Sequence, residues 1–127
     1  MKITLPLSVT LPRKTKADRV WILNLNSYRN THFQILNQAK IAYKDLIVVA
    51  GLMPMPPYRF KYTIYPANQR KFDLGNVLPV VAKFTEDALI EYGILSDDNY
   101  KIIREVIYDV GFMDKDNPRV ELVIESF

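Results

Sequence analysis

No cysteine occurs among the 127 residues, which excludes disulfides, zinc held by thiolates and thiol catalysis. Histidine is nearly absent too. His32 is the only imidazole, so a bound metal would have to rely almost wholly on oxygen donors. With four glycines in the chain, no Gly-rich phosphate loop can be assembled, and neither a serine nucleophile elbow nor a His-based metal motif is present. No window approaches the ~20 apolar residues of a membrane helix, and "MKITLPLSVTLPRK" lacks an apolar stretch of signal-peptide length. The expectation is a cytoplasmic protein without membrane contact. Repeats, low-complexity runs and Pro/Gly/Ser-rich linkers are also missing, and the length suits one domain spanning 1–127.

What is there begins with charge. The net balance of +3 is modest, but its distribution is uneven. "RKTKADR" and "NQRK" are basic, whereas acids gather from Asp73 onward. A positive surface beside an acidic pocket is the arrangement that chemistry on phosphodiesters requires, although a solvated charged face is the commoner origin of such a distribution.

The elements read as follows. "KITLPLSVTL" alternates as a strand interrupted at Pro6, which suits an edge, and "RVWILNL" is a second short apolar run. From Ser27, Phe33, Leu36, Ala39, Lys40, Tyr43 and Ile47 recur at helical spacing, with Gly51 as a stop and "MPMPP" forbidding helix beyond it. "YRFKYTIY" alternates strictly and predicts a strand. Asn76 is placed to cap a second helix with Pro79 in its first turn, a buried stripe of Val77, Val80, Val81, Phe84 and Ala88, and Gly93 at its end. "YKIIREVIYDVG" and "RVELVIESF" complete the set as strands, joined by the tight connection "FMDKDNP". The order β-β-α-β-α-β-β predicts an α/β or α+β domain, with two main helices covering one face of a small mixed sheet.

Four acids stand out in this frame. Asp73 follows a strand, Asp87 borders the buried stripe of a helix beside Lys83, and Asp97 and Asp98 sit at a helix-to-strand junction. Convergence of such hard oxygen ligands would suit Mg²⁺. Taken alone, Asp97 and Asp98 read as a solvated turn, Asp87 as a partner for Lys83, and Lys83 as an ordinary surface lysine.

The segment "FDLGNVLPVVAKFTEDALIEYGILSDDNYKI" resembles the heart of the RusA-like Holliday junction resolvases, phage and prophage endonucleases that cut four-way DNA junctions with Mg²⁺. Asp73 and Asn76 match the family's Asp-x-Asp-Asn element. Lys83, Asp87, Ala88 and Leu89 match its Lys-x-x-x-Asp-Ala-Leu helix, and Gly93, Asp97 and Asp98 match its Gly and Asp-Asp pair. "LNSYRNTH" is similar to an early Asn- and Tyr-containing segment. Two departures stand against these matches: Gly75 replaces the second acid of Asp-x-Asp, and the gap from Asn76 to Lys83 is longer by about one helical turn.

The resemblance implies a homodimeric, Mg²⁺-dependent endodeoxyribonuclease acting on branched DNA, with Mn²⁺ able to substitute and no small organic cofactor. It implies Asp73 and Asp98 as metal ligands, with Asp87 and Asp97 as further candidates and Lys83 stabilising charge on the phosphate. Arg13, Lys14, Lys16, Tyr28, Arg29, Arg70 and Lys71 are the expected DNA contacts. Gly75 opens the alternative of a degenerate member that binds branched DNA without cutting it efficiently.

Overall fold

Strict alternation carries Tyr58, Phe60, Tyr62 and Ile64 to one side of an extended segment, and all four are buried there. That segment is β5 in a computed structural model describing residues 1–127. The elements run β1 (Lys2–Leu5), β2 (Ser8–Leu11), β3 (Arg19–Ile22), α1 (Leu25–Asn30), α2 (Phe33–Lys44), β4 (Val48–Ala50), β5 (Tyr58–Tyr65), α3 (Leu74–Glu91), β6 (Ile103–Val110) and β7 (Arg119–Ser126). The class is α+β. A five-stranded mixed sheet has the order β4-β1-β7-β5-β6, and β2 pairs with β3 in a separate two-stranded sheet.

Only β5 and β6 pair in parallel; every other neighbour is antiparallel. Parallel neighbours need a crossover, and α3 supplies it. The helix runs back across the sheet with Leu78, Val81, Phe84, Thr85 and Leu89 buried. On its other side α2 and the β2–β3 hairpin close the core, Trp21 stacking on Phe84 at 5.4 Å between ring centroids and Tyr43 meeting the same ring edge-on. The helical coverage is therefore divided: α3 lies on the sheet, whereas α2 lies against β2 and α3.

Several expectations change in detail. Pro6 ends one strand before another begins, and β1 and β2 join different sheets. β1 lies between β4 and β7, so it offers no free edge. The first helical region breaks at Thr31, where His32 caps α2 by accepting a hydrogen bond from the Gln34 backbone N–H. Phe33 then points outward, 64% exposed, and Ile47 lies beyond the helix. Asp73, not Asn76, occupies the N-cap of α3, which puts Pro79 at the helix's sixth residue rather than in its first turn. Gly93 ends the helix as expected. At φ +75° it lets its own N–H reach Ile90 O and that of Ile94 reach Leu89 O. The 111–118 connection is no tight hairpin, because it spans the end of β5 to join strands that are not neighbours.

Candidate functional site

The middle of α3 carries the densest group of ionisable side chains implicated by the sequence. Lys83 and Asp87 are one turn apart and paired, Nζ to Oδ1 3.3 Å, on the face turned away from the core. This hydrogen bond, followed by the charge of Asp87 and then the more distant Asp98, raises the Lys83 pKa. Beyond Gly93 the chain turns, with the Ile94 and Leu95 backbone N–H groups both donating to Leu89 O, and Asp98 adds its charge to this patch although it lies past the helix end.

Glu86 belongs to the same patch. Its side chain turns toward the sheet, where Oε2 accepts a hydrogen bond from the Tyr62 hydroxyl at 3.3 Å. Burial is the main cause that lifts its pKa to about 7; the Tyr62 bond opposes the shift, while the charges of Asp98 and Asp87 add to it. Near neutrality Glu86 is thus divided between acid and carboxylate. It was missed in the sequence reading, yet a signal existed: its neighbours at i−4 and i+3, Ala82 and Leu89, are apolar and buried, which draws the intervening acid inward.

The other acids lie apart or are committed locally. Asp97 is pulled into its own turn, accepting from the Asp98 backbone N–H at 2.7 Å and the Asn99 side-chain amide at 2.9 Å, which lower its pKa. Asp73 stands at the N-terminus of α3 and makes no side-chain capping bond. Fourteen residues separate it from Asp87 on the same helix, about 21 Å at the helical rise. Asp73 instead shares an open groove with Arg70, Lys71, Phe72, Asn76 and Val110. No three or more Asp, Glu or His side chains gather closely enough to hold one metal ion. Four carboxylates therefore do not meet within one chain.

The expected DNA contacts fall into three places. Arg13, Lys14 and Lys16 occupy the exposed β2–β3 loop, where Arg13 Nε donates to Ala17 O at 2.8 Å. Arg70 and Lys71 are exposed at the mouth of the Asp73 groove. Tyr28 and Arg29 ride on α1, with Arg29 exposed and Tyr28 half-buried edge-on against Phe84 at 6.4 Å. α1 is held by Asn24, which accepts from the Ser27 N–H, and by Trp21 Nε1, which donates to Thr31 Oγ1 at 2.9 Å. Tyr28 is thereby fixed close to Lys83, and the two line a common cavity.

At Gly75 the space is open. A Cβ built there meets nothing within 4 Å, and the backbone has no positive φ. No family model matches this chain, and no curated protein is significantly similar to it.

Proposed function

We propose that this chain is an endodeoxyribonuclease acting on branched DNA, four-way junctions above all, as a homodimer and with Mg²⁺. The observation that carries the reading is the shared patch of Lys83, Asp87 and Asp98 on α3 and the turn that follows it. Those are the positions singled out by the RusA-like resemblance. Although no three-acid cage is present, Mg²⁺ commonly takes one or two protein carboxylates and completes its shell with waters and substrate phosphate. Asp98 and Asp87, both hard oxygen donors reachable from solvent, fit that demand. Bound there, the ion supplies charge at a phosphoryl oxygen and a water of lowered pKa, and Mn²⁺ suits the same donors.

The remaining work falls to the chain itself. Lys83, kept protonated by Asp87, presents a compact positive charge to the phosphate. Arg13, Lys14, Lys16, Arg29, Arg70 and Lys71 are exposed cations that hold flanking phosphates, so binding weakens steeply as salt rises. The outer edge of β6 is unpaired, and Val106 and Val110, which pair in register with the buried Phe60 and Ile64, remain 43% and 48% exposed. A second copy added along this edge covers both features and supplies the two-fold symmetry that cutting opposed strands calls for.

The test is a labelled four-way junction incubated with Mg²⁺. Paired nicks near the branch point are expected, with Asp98→Asn abolishing them while junction binding persists. Undiminished cleavage by Asp98→Asn refutes the assignment of the reaction to this patch.

A second reading, binding of branched DNA without cleavage, is favoured by Gly75 and by the dispersed acids. It predicts gel shifts without metal-dependent nicks, and gain of nicking in Gly75→Asp.

A further inference from the structure

The two sides of the molecule treat their cations differently. On the face of the five-stranded sheet that no helix covers, Lys2, Arg59, Lys61 and Arg119 alternate with the buried residues, and each of them pairs with a carboxylate: Lys2 and Arg119 with Glu121, Arg59 with Glu105, and Lys61 with Asp109. A phosphate arriving there would have to displace an acid from every one. The helical side offers a cation in the opposite state. Lys40 on α2 is half-buried, with its Nζ 5.8 Å from the centre of the Phe84 ring, and no carboxylate pairs with it. α2 itself contains no acid, and those of α3 are committed elsewhere: Glu86 to the Tyr62 hydroxyl, Asp87 to Lys83, and Glu91 to Lys44 at 2.6 Å. Phe84 is stacked on Trp21 and met edge-on by Tyr43, so the ammonium rests against a fixed ring instead of swinging through solvent. Packing therefore strips part of its hydration and supplies no counter-charge, a cost that an incoming anion offsets.

We infer that Lys40 is a further phosphate contact, carrying the path of a DNA strand from Lys83 past Phe84 onto α2; the inference rests on the branched-DNA reading above. Placement favours a polyanion over a lone ion. Tyr28 and Lys40 both lie against Phe84, Lys83 is the residue before it, and Arg29 follows Tyr28 on α1. Positive charge is thus spread over three helices around one ring, which a run of backbone phosphates can answer and a single phosphate cannot. The ion-paired face of the sheet is the side turned away from the strand.

The experiment measures binding of the full chain to a labelled four-way junction across a KCl series, in EDTA so that no metal-dependent cutting intervenes. Lys40→Gln should weaken binding by about five- to tenfold near 0.1 M salt and flatten the slope of log K against log[KCl] by about 0.9, the loss of one phosphate contact. Lys40→Arg, which keeps the charge and can still rest on the ring, should retain the wild-type slope. Lys61→Gln changes the net charge by the same amount on the opposite side and should leave the slope where it is. Thermal melting checks that all three variants are folded. An unaltered slope in Lys40→Gln, or an equal flattening in Lys61→Gln, overturns the assignment of Lys40. Absence of any junction binding by wild type at low salt overturns the branched-DNA reading itself, and the two failures are therefore distinguishable.

Discussion

Glu86 links the patch on α3 to the stability of the whole chain. Its carboxyl ionises near 4.5 when unconstrained and near 7 in the fold, so the folded protein holds the proton more tightly. The stabilisation linked to that proton is complete below about pH 4.5, declines between the two values and is gone above about 7. Glu86→Gln keeps an acceptor for the Tyr62 hydroxyl and cannot ionise. It should match wild type in thermal melts at about pH 4 and exceed it at about pH 8, on the order of 2 kcal/mol. An unchanged difference across that range would show that Glu86 is solvated in the fold. A second contrast lies deeper, where the Tyr43 hydroxyl and Thr85 Oγ1 are 2.6 Å apart and Thr85 also donates to Val81 O at 2.7 Å. Tyr43→Phe leaves Thr85 satisfied and should cost about 1 kcal/mol, whereas Thr85→Val orphans a buried phenol and should cost about 2–3 kcal/mol in chemical denaturation. Among site residues, the pairing of Lys83 with Asp87 was legible because helical spacing alone determines it. Glu86 was not, because an acid reads as solvent-facing until its buried neighbours are counted.

At the scale of elements, α3 shows how capping and backbone chemistry shape the site. Its first turn contains no acid, and the second residue is Gly75, which carries no side chain to restrain the backbone. Gly75→Asp removes the glycine penalty and places a negative charge at the positive end of the helix dipole, in space that is already open. It should raise stability by about 1 kcal/mol in thermal melts, whatever it does to cleavage. Destabilisation instead would mean that the first turn is held by a partner that aspartate displaces. Strand β5 was legible from end to end because period-two alternation over eight residues has no helical counterpart. The start of α3 was not: Asn76 is a good capping residue, but the chain turns helical three residues earlier and accepts Pro79 inside the helix. β4 was invisible, since three exposed residues carry no periodic signal.

For the molecule as a whole, the sheet edge at β6 makes association testable. Val106→Lys with Val110→Lys puts two charges on the uncovered strip without entering the core. Sedimentation should show a wild-type dimer and a monomeric double variant of similar melting temperature. A wild type that stays monomeric at tens of micromolar excludes a stable dimer through this edge. Strand order could not be read in advance, because pairing is decided between segments far apart in sequence; "FMDKDNP" has turn composition but bridges over a strand that intervenes between its ends.

The central place of β7 reaches beyond architecture. This strand bonds to β1 on one side and β5 on the other, so during refolding the β4–β1 and β5–β6 pairs stay separate until residues 119–126 dock between them. During that interval both inner margins are bare and sticky, and productive folding competes with intermolecular zippering. Refolding a chain truncated before Arg119 should give more aggregation than the full chain, whereas supplying the 119–126 segment as a free peptide should reduce it.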